Sequence, residues 1–309
     1  MKNVWAVCAY FNFTKSRARF KNYQIFKKNL RDHSVKIAAI EFSPSGEFEL
    51  NKHDADLLIQ TSDGDIMWQK ERLLNIGIDS IPDNTDIVML IDCDVIFSDK
   101  NAIEYIVKEL EGKLAVQCFS HVCHLTDLSQ EQENIDFLDS AKINKQMFLE
   151  SPVPGCVYLH ESIGNFNGGL SGYAWAFRYD IIKNIKMFDH NIIGSGDRVS
   201  AAAFMELPIF QHIIAGVNYS EYLEYFNKVR KMGLKAKDVG FVNMTIYDLY
   251  HGSYEDRRYM QRHDILKSAF FDSKKDLIIG NSLPLKFSNT VTEKLKKDII
   301  SYFYSRNEK

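Results

Sequence analysis

The sequence predicts an α/β fold in which a mostly parallel β-sheet is flanked by helices. Segments with the hydrophobic pattern of strands alternate with segments of helical pattern in the N-terminal part of the chain. Residues 87–91 are short, branched and apolar on both faces, which is typical of a central strand in a buried parallel sheet. Two carboxylates, Asp92 and Asp94, follow this strand directly, at the edge where open α/β sheets bind their ligands.

The order of the predicted elements supports this class. The predicted strands cover residues 4–10, 35–42, 57–61, 87–91 and 114–119. Helical patterns lie between them at residues 20–30, 68–76 and 102–111. Strands that alternate with helices imply right-handed crossover connections, which make neighbouring strands parallel.

The second half of the chain is less regular. Residues 125–158 lose the alternation and are predicted to form an insertion or a helical excursion. Regular structure then returns as a strand at 173–177, helices at 180–185 and 197–206, and a strand-like run at 239–247.

The last segment, 290–306, places apolar residues at helical spacing with lysines opposite them. This pattern predicts a helix packed on the domain. We therefore expect one domain over residues 1–270 and a C-terminal helical extension over residues 271–309.

Composition and charge restrict the function classes. The net charge of −3 at pH 7 gives no general attraction to nucleic acid or to anionic membranes. No apolar run reaches the roughly 18 residues that span a bilayer, and the N-terminal residues show no signal-peptide pattern. The five cysteines are an odd number and fit reduced thiols better than a disulfide framework. We expect a cytoplasmic enzyme, with peripheral attachment to a membrane as an open alternative.

A polar stripe on the predicted helix 68–76 is the first indication of a ligand site. On a continuous helix, Trp68, Arg72 and Asn75 share one face. Arg72 could pair with a phosphate or with a carboxylate of the acidic strand end, and Asn75 could bond to a nucleotide base or ribose. A solvent-exposed helix face explains the same pattern equally well.

A glycine-rich segment spans residues 165–173 and includes Gly168 and Gly169. Glycines at these positions would let the backbone approach a ligand closely. The segment matches neither a phosphate-binding P-loop nor the Rossmann glycine pattern, and a plain loop is the alternative.

Asp197 follows Gly196 at the predicted start of a helix. It is either a helix N-cap, worth about 0.5–2 kcal/mol, or a general base directed at an acceptor hydroxyl. Taken alone, the N-cap is the simpler interpretation.

A histidine and three arginines follow the last strand-like run. His251 could complete a metal site with Asp92 and Asp94, since a hard cation such as Mn²⁺ accepts mixed oxygen and imidazole ligands. A lone histidine is more often structural. The arginines that would suit a diphosphate leaving group are Arg257, Arg258 and Arg262.

In chain order, these segments make the sequence resemble a glycosyltransferase of the GT-A fold, a Rossmann-like α/β fold. The matches that carry the resemblance are the acidic strand end at Asp92 and Asp94, the segments 168–176 and 193–197, and residues 250–252 with the arginines after them. The helix that contains Arg72 and Asn75 fits the same pattern. The similarity covers residues 4–266 and is strongest to inverting bacterial family-2-like enzymes and to galactosyltransferase-like domains.

The resemblance implies that a nucleotide-sugar, by default a UDP-sugar, lies over the ends of the first strands. The residues then expected to bind the donor are Tyr10, Phe11, Asn12, Glu41, Arg72, Asn75, Asp92, Gly169 and Arg258. The residues expected to hold Mn²⁺ (or Mg²⁺) are Asp92, Asp94 and His251. Asp197 maps to the carboxylate that many relatives use as a base, although those relatives carry Glu-Asp where this chain has Gly196 and Asp197.

The resemblance further implies a metal-dependent transfer of a sugar to a hydroxyl of a glycan, lipid-linked or protein acceptor, with inversion at the anomeric carbon. Asp197 would remove the proton of that hydroxyl. A retaining enzyme of the same fold and a non-catalytic carbohydrate-binding protein remain open alternatives.

Overall fold

The computed structural model describes residues 2–125, 148–149, 170–207, 219–253, 255–259 and 261–308. Most of the predicted insertion at 125–158 lies outside these residues, as do Gly168 and Gly169.

The larger sheet has seven strands within the described part of the chain. In spatial order they are β10 (Val239–Phe241), β6 (Ala115–Gln117), β9 (Ala174–Arg178), β4 (Ile87–Ile91), β1 (Val4–Tyr10), β2 (Lys36–Phe42) and β3 (Leu57–Thr61). Strands β1 to β4 pair in parallel, β10 pairs in parallel with β6, and β9 runs antiparallel to both of its neighbours. The predicted α/β class with a mostly parallel sheet is therefore confirmed.

Helices cover both faces of this sheet. Their bounds are Arg17–Asp32, Lys70–Ser80, Ala102–Glu109, Tyr179–Ile185, Gly196–Phe204, Tyr219–Lys231, His263–Ser268, Ser273–Asp276 and Glu293–Ser305, with 3₁₀ turns at Ala236–Asp238 and Glu255–Arg257. Alternate residues of β1 enter two separate cores: Trp5 and Val7 pack in one, and Ala6 and Cys8 in the other. This is the two-residue period expected of a strand buried on both faces.

A smaller sheet lies beside the acidic strand end. Its order is β5 (Val95–Phe97), β11 (Thr245–Asp248), β7 (His121–His124) and β8 (Phe148–Leu149), and a further hairpin pairs β12 (Leu277–Ile278) with β13 (Lys286–Phe287). The structure divides the predicted run 239–247 between the two sheets, because the chain turns where the Met244 amide donates to the Val242 carbonyl at 2.9 Å. As a result β11 ends next to β4, and the Leu249 amide donates to the Asp94 carbonyl at 2.8 Å.

The helix Lys70–Ser80 lies directly on the parallel strands. A side chain at Gly77 would overlap Val7 of β1 and Ile40 of β2, so glycine is needed there for the close approach. This packing holds the first turn of the helix, with Lys70, at the carboxyl end of the sheet.

The helix Glu293–Ser305 begins after Thr292, whose hydroxyl accepts a hydrogen bond from the Leu295 amide at 3.3 Å. Its apolar face, which includes Ile299 and Phe303, packs in one core with Met67 and Ile192.

Among the residues described, no helix combines the length and the hydrophobicity that a bilayer crossing requires.

Candidate active site

A cavity of about 700 Å³ opens at the carboxyl ends of β4 and β11, a size in the usual range for small-molecule sites. Charged side chains of both signs line it. The cationic ones are Arg19, Lys70, Arg198, Arg257, Arg258, Arg262 and Arg306, and the acidic ones are Asp92, Asp94, Asp197, Asp248 and Glu255. The cations outnumber the carboxylates among these lining residues, which favours an anionic ligand.

Three potential metal ligands meet at one end of this cavity. One oxygen each of Asp94 and Asp248 and one ring nitrogen of His251 lie within 4.8 Å of one another. His251 Nδ1 is 3.3 Å from Asp94 Oδ2. The structure thus brings together two of the three residues predicted to hold a metal, and adds Asp248.

The hydrogen bonding of Asp248 fits a metal ligand. Its Oδ2 accepts from His124 Nδ1 at 2.6 Å, whereas its buried Oδ1 has no hydrogen-bond partner among the described residues. Burial raises the pKa of Asp248, but the hydrogen bond from His124 and the charges of His251 and Arg257 outweigh burial and lower the pKa below its ordinary value. Oδ1 is therefore available to coordinate a hard divalent cation. The hydrogen bond from His124 to Oδ2 would hold the carboxylate in the orientation needed.

The sequence contains a signal for Asp248, although none of the motifs described above includes this residue. Asp248 is the last residue of a strand and precedes His251 by three positions. A carboxylate and an imidazole at that spacing after a strand can both reach the same sheet edge, as Asp92 and Asp94 do after β4.

Asp92 contacts a lysine, and its predicted roles at the metal and the donor stay predictions. Lys70 Nζ lies 2.9 Å from Asp92 Oδ1 and 3.6 Å from Asp197 Oδ2, so the ammonium bridges the two carboxylates. Burial raises the pKa of Asp92; Lys70 opposes this and the neighbouring Asp94 adds to it, and the net shift is upward. In this structure Asp92 faces Lys70 and Asp197, and Asp94 turns toward His251.

Asp197 lies in the first turn of the helix Gly196–Phe204. Its Oδ1 accepts from the Arg198 amide at 2.7 Å, and its own amide donates to Glu71 Oε1 at 3.1 Å. A Cβ at Gly172 would lie 2.7 Å from Asp197 Oδ2. Glycine at 172 therefore keeps this oxygen accessible from the cavity.

Glu71 is a buried carboxylate that holds the backbone at Asp197 and the side chain of Trp68 by hydrogen bonds. Its Oε2 accepts from the Trp68 indole nitrogen at 2.9 Å. Burial raises the pKa of Glu71 to about 7, with Lys70 opposing the shift and Asp197 adding to it. Trp68 lines the cavity.

Arg72 and Asn75, in contrast, do not reach the cavity. Arg72 pairs with Asp189 at 3.1 Å and donates from Nε to the Leu283 carbonyl at 2.7 Å. Asn75 Nδ2 donates to the Met187 carbonyl at 2.9 Å. The helix begins only at Lys70, so Trp68 precedes it and does not share the face of the other two residues.

The predicted nucleotide residues are divided between two cavities. Phe11 and Arg258 line the larger one, whereas Asn12 and Glu41 line a second cavity of about 380 Å³. Glu41 is buried and accepts from the Glu49 amide at 2.6 Å, and burial raises its pKa despite its hydrogen bonds. The hydroxyl of Tyr10 donates to Glu49 at 2.6 Å. Gly169 lies outside the described residues.

A chain segment near the C-terminus closes one side of the larger cavity. Glu308 accepts from Arg19 Nε at 2.7 Å and lies 2.6 Å from Arg306. Burial raises the pKa of Glu308, but the two guanidinium groups outweigh it and lower the pKa to about 2. Arg306 also stacks over the ring of Trp68 at 5.2 Å.

Comparison with known proteins yields similarity at the level of structure. No protein-family model matches the chain, and no curated protein is significantly similar to it in sequence. Among solved structures, the chain is similar to nucleotide-diphospho-sugar transferases and related enzymes.

Three of these structures illustrate the range. Glucosyl-3-phosphoglycerate synthase from Mycobacterium tuberculosis, in complex with Mn²⁺ and UDP-glucose, is 12% identical, with a TM-score of 0.44 over 87% of this chain and 78% of that one. The catalytic domain of Drosophila β1,4-galactosyltransferase 7, in complex with xylobiose, is 9% identical, with a TM-score of 0.41 over 93% of each chain. 4-Diphosphocytidyl-2C-methyl-D-erythritol synthase from Anaerococcus prevotii is 12% identical, with a TM-score of 0.39 over 87% of this chain and 96% of that one. Likeness at this level carries no residue-by-residue correspondence.

Proposed function

We propose that this protein is a divalent-metal-dependent glycosyltransferase that moves a sugar from a nucleotide-diphosphate sugar, with UDP as the expected nucleotide, to a hydroxyl acceptor with inversion. The observation that supports this most strongly is the composition of one cavity. It combines the oxygen and nitrogen atoms of Asp94, Asp248 and His251 with several guanidinium groups and with the carboxylate of Asp197.

The donor side of the proposed reaction rests on charge. A divalent cation held by Asp94, Asp248 and His251 would supply positive charge to the two phosphates of the departing nucleotide. Arg257 is fixed beside these residues, because its guanidinium contacts His251 Nε2 and donates to the Tyr259 hydroxyl at 2.9 Å. Preorganised positive charge at the leaving group is usually the largest contribution to such a transfer.

The acceptor side rests on Asp197. Its Oδ1 is occupied by the Arg198 amide, so Oδ2 is the oxygen that would take the proton of the attacking hydroxyl. Inversion requires one such base and no nucleophile from the protein. Asp92 is the other carboxylate nearby. Its Oδ1 is 2.9 Å from Lys70 Nζ, closer than Asp197 Oδ2 at 3.6 Å, so we assign Asp92 the role of holding Lys70 in place.

The experiment is a screen of nucleotide-sugars that measures release of the nucleoside diphosphate with and without Mn²⁺. We expect metal-dependent release by the wild type, and retained nucleotide binding but lost turnover in Asp197→Asn. The matched control is Asp180→Asn, which removes an exposed carboxylate from another helix. Near-normal kcat in Asp197→Asn would assign Asp197 a structural role.

Two further results would replace the proposal. Retention of the anomeric configuration in the product, read by NMR, would indicate a retaining enzyme. Metal-dependent sugar binding without release of nucleotide from any donor would indicate a carbohydrate-binding protein.

A further inference from the structure

Arg262 is a buried cation that lines the larger cavity, and no carboxylate among the described residues neutralises its charge. The residue is 6% exposed, and its Nε has no hydrogen-bond partner among the described residues. Within the same described part of the chain, no carboxylate forms an ion pair with it. A buried charge is costly in free energy unless an opposite charge compensates it. Binding of an anion to this guanidinium would therefore be favourable.

The surroundings of Arg262 hold it rigidly. One terminal nitrogen donates to Ser195 Oγ at 2.7 Å and the other to the Tyr302 hydroxyl at 3.4 Å. The guanidinium carbon stacks over the ring of Tyr259 at 4.9 Å. A Cβ at Gly194 would lie 2.8 Å from Arg262, and Gly194 has a φ of +100°. Glycine at position 194 is therefore needed both for the positive φ of the backbone and for the close approach of the Arg262 guanidinium.

Further polar groups converge on the same place. Ser195 Oγ lies 3.2 Å from His263 Nε2. Ser195 is also the N-cap position of the helix Gly196–Phe204, and its side chain makes no capping hydrogen bond. A guanidinium, a hydroxyl and a helix N-terminus are together suited to a tetrahedral oxyanion.

This cluster is distinct from the metal end of the cavity. Arg257 contacts the metal-site residue His251, whereas Arg262 contacts Ser195, two residues before Asp197. The three arginines predicted to serve one diphosphate are thus divided, and Arg262 belongs to the side of the proposed base.

We infer that the acceptor carries a phosphate group, which binds Arg262 and Ser195 and thereby places the acceptor hydroxyl beside Asp197. This inference rests on the proposed glycosyl transfer. It adds a substrate class to it: phosphate-bearing hydroxyl compounds.

The test is calorimetric titration of inorganic phosphate into the full chain saturated with Mg²⁺ and UDP. The wild type should bind phosphate in addition to UDP. Arg262→Gln should weaken phosphate binding by about 10-fold or more while changing the Kd for UDP by less than about 2-fold, since it removes charge-assisted hydrogen bonds at the acceptor side only. The control Arg230→Gln, at a half-exposed arginine paired with Glu206, should change neither.

Two more variants keep the inference testable if Arg262→Gln does not fold. The thermal unfolding midpoint of every variant is measured to check folding. Ser195→Gly removes the hydroxyl, suits the φ of +74° at this position, and should weaken phosphate binding by about 3-fold. Arg262→Lys keeps the charge but loses the two-pronged geometry, and should give an intermediate loss.

Three outcomes would overturn the inference. The first is that the UDP-saturated wild type does not bind phosphate, and the second is that Arg262→Gln and Ser195→Gly both leave phosphate binding intact. The third is a loss of UDP affinity in Arg262→Gln as large as that in Arg257→Gln. The last would place Arg262 on the donor diphosphate. Absence of UDP binding by the wild type would instead contradict the proposed function, and phosphate titration of the nucleotide-free protein then still tests the oxyanion site.

A nucleotide-release assay with two arms distinguishes the two kinds of compound that could carry the phosphate. Soluble sugar phosphates and phosphatidic-acid vesicles are offered as acceptors, each beside its phosphate-free counterpart. Phosphate-dependent stimulation in one arm identifies the source, and equal activity with both counterparts in both arms contradicts the inference.

Discussion

Lys70 provides a quantitative test of the acidic cluster, through the substitution Lys70→Met. The ammonium lies 2.9 Å from Asp92 and 3.6 Å from Asp197, and the three side chains are 14%, 28% and 23% exposed. Breaking a buried ion pair by removing one partner costs roughly 3–5 kcal/mol. Because both carboxylates keep partial contact with solvent, we expect a loss at the lower end, about 3 kcal/mol in the free energy of unfolding.

The pH dependence of this loss follows from the sign of the shift. The pKa of Asp92 is already above its ordinary value, with burial as the main cause, and loss of Lys70 raises it further. A carboxyl group whose folded pKa is raised loses stability as the pH rises past its unfolded pKa. The deficit of Lys70→Met relative to the wild type should therefore grow from about pH 4 toward neutral pH.

The assay is urea unfolding followed by tryptophan fluorescence, at several pH values, with Asp92→Asn and the double variant completing a cycle. We expect the Lys70→Met loss to shrink when Asp92 is already neutral. The control Lys183→Met removes a lysine from an exposed ion pair with Asp83 and should change little. A Lys70→Met loss below about 1 kcal/mol, or strictly additive effects in the cycle, would show that Lys70 and Asp92 do not form a coupled buried ion pair.

Three shorter predictions concern neighbouring features. Gly172→Ala should reduce turnover but leave metal binding intact, because the new Cβ would meet Asp197 Oδ2 at 2.7 Å; steady-state kinetics beside a Mn²⁺ titration checks this. Glu308→Gln should lower the free energy of unfolding on the order of 3 kcal/mol above about pH 5. The wild-type advantage should disappear as the pH falls toward 2, since the pKa of Glu308 is lowered to about 2; urea unfolding across this range measures it. Arg72→Gln should lower the thermal midpoint without weakening UDP binding, since Arg72 bonds to the Leu283 carbonyl outside the cavity; a changed UDP affinity would return Arg72 to the donor site.

The local pattern of the sequence was sufficient for the sheet. The bounds of β1, β3 and β4 are those predicted. For β1 and β4 the reason is that strands buried on both faces are uninterrupted apolar runs, whereas β3 is a partly exposed edge strand. The division of residues 239–247 could not be read from this pattern. It depends on which sheet edge each half meets, and that is set by tertiary contacts such as the Leu249–Asp94 hydrogen bond.

The candidate site was predictable where a residue follows a strand and less so where it lies on a helix. Asp94 and His251, which the structure places together, were predicted as a pair because each lies a few residues after a strand-like run. Lys70 was not identified, since a lysine in a helical pattern is usually solvated, and its burial depends on the close packing at Gly77. The shared face proposed for Arg72 and Asn75 with Trp68 depended on a helix start two residues too early.

The most direct test of the proposed metal site is Mn²⁺ binding in the presence of UDP, measured by electron paramagnetic resonance on the wild type, Asp248→Asn and Asp180→Asn. We expect one tightly bound Mn²⁺ in the wild type and in Asp180→Asn, and an affinity about 100-fold weaker in Asp248→Asn. Unchanged Mn²⁺ affinity in Asp248→Asn, or no bound Mn²⁺ in the wild type, would contradict the proposed metal site.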